Sequence, residues 1–228
     1  MKKILPTFTK FEIFLLLFSI VTITSTFVIF DGENYLAMIA SLIGAIAIIF
    51  CAKGNPIGQG LFLIFGLLYG YISATYAYWG EMLTYLCMSV PMAAYSLFTW
   101  LKNPYEDNHA EVKVYSIKRK DIMLLIPLTI GVTVAFYFIL KYLGTSNLLV
   151  STFSVSTSFS AVYLTSKRSP FYALAYALND IVLIILWTLA SITSTSYVSV
   201  LVCFFIFLIN DLYGYYNWIR MQKAQSKN

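Results

Sequence analysis

Apolar residues run through this chain in eight long blocks without period-two alternation, most of them near the ~20 residues a helix needs to cross the hydrocarbon layer of a bilayer. They cover about 11–30, 35–52, 58–79, 82–101, 122–142, 147–165, 170–193 and 197–219. Short polar or helix-breaking stretches separate most of them, such as Asp31-Gly-Glu-Asn34, Gly54-Asn-Pro56 and Gly144-Thr-Ser-Asn147. Lipid satisfies no backbone hydrogen bonds, so a spanning segment is a helix or part of a closed barrel, and the missing alternation excludes the barrel. The pattern predicts an all-α integral membrane protein with eight transmembrane helices. The first block is read as a span and not a cleaved signal, because its apolar run is long and no small-residue cleavage site follows it.

The basic residues give this reading a direction. Lys2, Lys3, Lys10, Lys53, Lys102, Lys113, Lys118, Arg119, Lys120, Lys167, Arg168, Arg220, Lys223 and Lys227 fall on one side of the eight-span layout, and Lys141 alone falls on the other. Cytoplasmic loops carry the Lys/Arg excess, so both termini are expected inside the cell. The net charge of +5 is then a topology signal facing an anionic inner leaflet, and no nucleic-acid partner is needed to explain it. With 60% hydrophobic, 18% aromatic and 11% charged residues and a mean hydropathy of +0.78, a soluble globule, a disordered chain and a disulfide scaffold are excluded. Cys51, Cys87 and Cys203 lie in or beside apolar runs with no Cys-x-x-Cys spacing and read as packing thiols.

A repeat is visible within the layout. Tyr95-Ser-Leu-Phe-Thr-Trp100 closes the fourth block and Tyr213-Gly-Tyr-Tyr-Asn-Trp218 the eighth, while Lys53-Gly-Asn-Pro56 opens the third and Lys167-Arg-Ser-Pro170 the seventh. Each Pro sits at a first helical turn, where its missing N–H costs nothing. Blocks two to four therefore match blocks six to eight as parallel three-helix repeats, and the odd helix between them restores direction. The expected organisation is an extra N-terminal helix in 1–34, one repeat in 35–101, a cytoplasmic loop and linker helix in 102–146, a second repeat in 147–220 and a tail in 221–228.

Polar residues deep in a span are costly unless they meet a partner or a cavity, so they mark the interior. In the seventh block Tyr172, Tyr176, Asn179, Asp180, Leu183 and Trp187 fall within an arc of about 100° on one helix face. The eighth block carries Asn210-Asp211, Gly214 and Asn217, and the third carries Gln59, Gly66, Gly70 and Ser73. Seven of residues 151–160 are Ser or Thr. The Ser/Thr run and the glycine stripe read first as packing faces. The Asn-Asp pairs read as ligand groups, or alternatively as a polar clamp between blocks seven and eight. Gln59, Tyr172, Tyr176, Asn179, Asp180, Trp187, Asn210 and Asn217 are the candidate substrate-binding residues: tyrosine faces stack on a flat ring, Asp180 attracts a cationic one, and the amides serve sugar hydroxyls.

Catalytic chemistry is absent from the pattern. Asp180 and Asp211 lack the glycine-rich context of an intramembrane aspartyl protease. His109, the one histidine, lies in the polar 102–121 loop, which removes a histidine metal cluster and His-based catalysis, and no phosphate-binding glycine loop occurs. No cofactor, metal or catalytic residue is expected.

The run from Lys53 to Trp100, with Gly80-Glu-Met82, Pro91-Met92 and the closing Tyr-x4-Trp, together with Lys167 to Trp218, resembles the PnuC family of bacterial vitamin transporters. The resemblance covers most of the chain outside the first block and the linker helix. It implies a SWEET-like arrangement of three plus one plus three helices in the bacterial inner membrane. It also implies uptake of nicotinamide riboside by facilitated diffusion, with a cytoplasmic kinase that traps the product, and it brings in a homotrimer as one oligomeric state. One departure matters: the Trp-x-x-Trp that precedes an Asn in nicotinamide riboside carriers of the family falls here on Tyr172 and Ala175, upstream of Asn179. Other substrates such as a deoxynucleoside or thiamine therefore stay open, as does a non-transporting membrane scaffold or sensor.

Overall fold

Capping explains where the helices start. In the computed structural model, which describes residues 5–75, 79–106, 108–145 and 147–227, α1 (Lys10–Phe30) opens on a reciprocal box: the Glu12 backbone N–H donates to Thr9 Oγ1 at 3.2 Å and the Thr9 N–H donates to the Glu12 carboxylate at 2.6 Å. Asn34 caps α2 (Tyr35–Ala52) through the Ala37 N–H, and α3 (Pro56–Thr75) starts on its proline. The fourth span, Gly80–Leu101, is α4 (Trp79–Leu83), a π-helical stretch Thr84–Ser89 and α5 (Val90–Leu101). Pro91 explains the π stretch, since in a regular α-helix its ring would clash with the carbonyl four residues back, and a wider turn relieves this. There follow a two-stranded antiparallel hairpin of β1 (Pro104–Tyr105) and β2 (Asn108–Val112), then α6 (Arg119–Tyr142), α7 (Leu148–Ser166), α8 (Phe171–Ser191) and α9 (Val198–Gln225). Among the described residues, eight helical spans are long and apolar enough to cross a membrane. Lys2, Lys3 and Ser146, named in the sequence reading, lie outside the described residues.

The packing relates the halves of the chain. Within each half, α2 lies on α3 and α3 on α5, as α7 lies on α8 and α8 on α9; across the halves, α2 meets α9 and α5 meets α7. Helix α1 leans on α2 and α9, and α6 leans on α7. The two outlying helices are held by the same device. Glu12, three residues into the start of α1, takes a salt bridge from Lys53 at 3.1 Å and a hydrogen bond from the Tyr213 hydroxyl. Asp121, three residues into the start of α6, takes them from Lys167 at 3.1 Å and the Tyr115 hydroxyl. Burial works against the Lys167 ammonium, but the Asp121 carboxylate outweighs it and holds that ammonium above its ordinary value.

The turns before α3 and α8 are local copies of each other. Gly54 and Arg168 both take left-handed backbone, with φ of +64° and +57° respectively. Asn55 and Ser169 follow, each fully buried, and the Asn55 Oδ1 and Ser169 Oγ accept from the N–H two residues on. The hairpin segment crosses both turns: the Val112 N–H donates to the Gly54 carbonyl and the Tyr115 N–H to the Arg168 carbonyl, each at 2.9 Å. Gln225 of α9 holds it from the other side, accepting from the Val114 N–H and donating to the Val112 carbonyl. This strap lies on the face that carries both termini. Gly54→Ala is expected to lower stability by about 1–2 kcal/mol, because a Cβ in left-handed backbone is strained. It would also meet Met221 Cε at 2.6 Å, and a thermal-unfolding midpoint equal to the parent's would refute this.

A cavity between the two halves

Between the two halves lies a cavity of about 540 Å³, within the range of small-molecule sites. At one end it is lined by Gly144, Thr145, Asn147, Thr193 and Tyr197, in the turns opposite the termini. At the other end Phe62 of α3 and Tyr176 of α8 stack nearly parallel, centroids 6.2 Å apart and planes 9° off. They come from the same position of their respective helices, six residues after Pro56 and Pro170.

Below that stack a second layer closes the protein. Trp100 and Trp218 are fully buried, with ring centroids 5.3 Å apart, and Tyr172 meets both edge-on. Each tryptophan reaches across to the other half: Trp100 Nε1 donates to the Thr165 carbonyl at the end of α7, and Trp218 Nε1 donates to the Cys51 carbonyl at the end of α2. The residue before each does the same one step on, Thr99 Oγ1 to the Ser166 carbonyl and Asn217 Nδ2 to the Ala52 carbonyl. Helix ends leave four carbonyls unpaired, and here the opposite half satisfies them.

The cavity wall is aromatic and hydroxylic. Phe65, Tyr69 and Tyr85 form one cluster, Trp187 packs on Tyr197 at 5.5 Å, and Ser151, Ser154 and Ser158 of α7 line the facing side. Asn179 sits in this wall with its Oδ1 accepting from Thr157 Oγ1 at 2.8 Å and Ser158 Oγ at 3.0 Å, and its Nδ2 donates to no group among the described residues. Ser96, also in the wall, is buried with its hydroxyl unpartnered. Gln59 lines the cavity near Tyr176 and donates to Cys51 Sγ.

A model of the family described as nicotinamide mononucleotide transporter matches residues 34–220. The chain belongs to this family, the PnuC transporters. It is 27% identical to the nicotinamide riboside transporter PnuC of Neisseria mucosa, over 96% of this chain and 84% of that one. It is also 27% identical to the nicotinamide riboside transporter PnuC of Haemophilus influenzae, over 84% of this chain and 82% of that one. Among solved structures, a crystal structure of the vitamin B3 transporter PnuC superposes with a TM-score of 0.82 at 26% identity, covering 96% of this chain and 94% of the other. The protein is therefore a multi-pass membrane transporter and not an enzyme.

Within this PnuC fold the eight sequence candidates separate into two sets. Gln59, Tyr176, Asn179 and Trp187 line the cavity. Tyr172, Asp180, Asn210 and Asn217 are buried away from its wall. Tyr172 belongs to the tryptophan layer, Asn217 bonds the α2 terminus, and Asn210 Nδ2 donates to Ser19 Oγ of α1 at 3.0 Å. Asp180 of α8 and Asp211 of α9 are both buried and neighbour each other. Ala175 also lies off the wall, so the two positions exchanged relative to the family's Trp-x-x-Trp face elsewhere. Gly66 and Gly70 seat Val90 and Leu86, where a Cβ would come within 2.8 and 2.5 Å of those side chains. Sequence reasoning left out Phe65, Tyr69, Glu81, Tyr85 and Ser96. Aromatic residues in an apolar block carry no mark that separates core from cavity. Glu81, at the very start of its block, reads as loop punctuation.

Proposed function

We propose that the protein carries nicotinamide riboside across the bacterial inner membrane, binding it in the 540 Å³ cavity with both termini in the cytoplasm. The two halves rock about the site so that the cavity faces each side in turn. The form described here is then outward-facing, and the Phe62–Tyr176 stack with the tryptophan layer is its closed cytoplasmic gate. Movement is passive, and phosphorylation by a cytoplasmic kinase retains the product. The 3+1+3 plan describes the moving parts, with α2–α5 and α7–α9 as the units and α1 and α6 as helices that travel with them.

The observation that carries this reading is the charge of the wall. No Lys, Arg or His is among the described residues lining the cavity. A phosphate dianion would lose its hydration there without a counter-charge, at a cost of several kcal/mol. A phosphate-free riboside instead finds aromatic faces for its ring and Asn179, Ser96 and Gln59 for its hydroxyls. This favours the riboside named for the two relatives over the mononucleotide in the family's description.

Uptake into proteoliposomes tests it. Labelled nicotinamide riboside is expected to enter saturably and the mononucleotide not at all. Asn179→Ala is expected to weaken riboside binding about tenfold, the loss of one or two buried hydrogen bonds. Equal transport of the mononucleotide, or full-rate uptake by Asn179→Ala, would refute the assignment.

A further inference from the structure

Glu81 is the one acidic residue among the described residues that line the cavity. Asp180 and Asp211, buried in α8 and α9, lie off its wall. The two ion pairs found among the described residues, Glu12 with Lys53 and Asp121 with Lys167, lie at the termini face and engage neither Glu81 nor any group near it. Glu81 shares the cavity wall with Phe65, Tyr69 and Tyr85. Tyr69 and Tyr85 have ring centroids 5.4 Å apart, and Phe65 closes the group at 4.7 Å from Tyr69 and 6.1 Å from Tyr85. The Tyr69 hydroxyl is engaged with Ser41 Oγ at 3.1 Å, so what this residue adds to the wall is its ring.

A carboxylate in a cavity wall that holds no protein cation gains from a cation that arrives there. Ring faces attract that cation through their quadrupole. A compact ammonium ion would keep its water shell, whereas a flat, delocalised cation gains from stacking and charge together. We infer that Glu81, with the ring faces of Phe65, Tyr69 and Tyr85, forms a half-cage that selects substrates with a positively charged flat ring over neutral nucleosides. This deepens the proposed function, because the pyridinium of nicotinamide riboside carries such a charge, and it assigns to Glu81 the attraction that the sequence pattern placed on Asp180.

Calorimetric titration of the purified protein tests it with three probes: nicotinamide riboside, its neutral 1,4-dihydro form and thiamine, a thiazolium cation. The parent is expected to bind nicotinamide riboside about 10- to 100-fold more tightly than the dihydro form. Glu81→Gln is expected to remove that preference by weakening the cation while leaving the dihydro form within about threefold, and Glu81→Asp, which keeps the charge, to restore part of it. Glu81→Gln weakening both forms equally, or keeping the preference, would overturn the inference. If the parent binds thiamine in a Glu81-dependent way but not nicotinamide riboside, the half-cage stands and the riboside assignment falls. If it binds no cation better than the neutral form, the half-cage falls.

Discussion

Trp218→Ala is expected to cost about 3–5 kcal/mol of stability, the range for removing a fully buried tryptophan. Three losses coincide there: the ring contacts with Trp100 and Tyr172, the hydrogen bond that satisfies the Cys51 carbonyl at 2.8 Å, and the cavity left behind. Trp218→Phe keeps most of the ring packing and gives up the hydrogen bond, so its cost should stay near 1–2 kcal/mol. Trp100→Ala should behave like Trp218→Ala, because its bond to Thr165 is the counterpart in the other half. The double variant should cost less than the sum of the two, since the rings touch and each single change already removes their contact. Thermal unfolding in detergent measures all four. An unfolding midpoint for Trp218→Ala within about 2 °C of the parent would contradict the cross-half bonding described here.

Gly58→Ala should be at least as damaging, at about 3 kcal/mol or more, although it adds one methyl group. The new Cβ would sit 2.5 Å from Cys51 Sγ, 2.7 Å from the Cys51 backbone nitrogen and 2.8 Å from the Ala47 carbonyl oxygen. Two of those three atoms are backbone of α2, so no side-chain rotation relieves the overlap and α2 must separate from α3. That would drag Gln59 and Phe62 out of the cavity wall with it. Gly60, two residues along the same helix, is the control: a Cβ there meets nothing within 4 Å, so Gly60→Ala should be neutral or stabilising by up to about 1 kcal/mol. Monodisperse elution of Gly58→Ala at the parental yield would show that the two helices are not in the close contact that Gly58 permits.

The helix limits were legible because their causes are local. All eight expected blocks start within about three residues of the helices, since apolar runs give way to capping residues, prolines or charges at points such as Thr9, Asn34, Pro56 and Pro170. The end of the last helix was not, because α9 runs on to Gln225 through residues that no breaker interrupts. The likeness of the turns at Gly54 and Arg168 was legible for the same local reason, since both need the same punctuation. Which polar group meets the cavity was not legible, because periodicity assigns a residue to a helix face and not to a neighbour. The single face of α8 bearing Tyr172, Tyr176, Asn179 and Asp180 meets, in turn, the tryptophan layer, Phe62, the α7 hydroxyls and Asp211. The likeness between Glu12 and Asp121 was hidden as well, since each looks like an ordinary first-turn acid until its lysine and tyrosine are seen.

The strap joins Gly54 and Arg168, one turn from each half, and among the described residues no hairpin bridges the opposite face. In the alternating-access cycle proposed above, the two faces therefore do not open at equal cost: exposing the cavity to the terminal side would strain backbone bonds that the reverse motion leaves intact. A carrier so built rests unevenly, with more molecules facing away from the strap. Substrate on the favoured side meets a competent site at once, while substrate on the other side binds with an affinity reduced by the fraction available. Half-saturation should then occur at a lower concentration on the face away from the strap than on the strap side. In the passive carrier proposed above the ratio of maximal rate to half-saturation must be the same in both directions, so transport starting from the strap side would be the faster at saturation, while at low supply the two directions would run at equal rates.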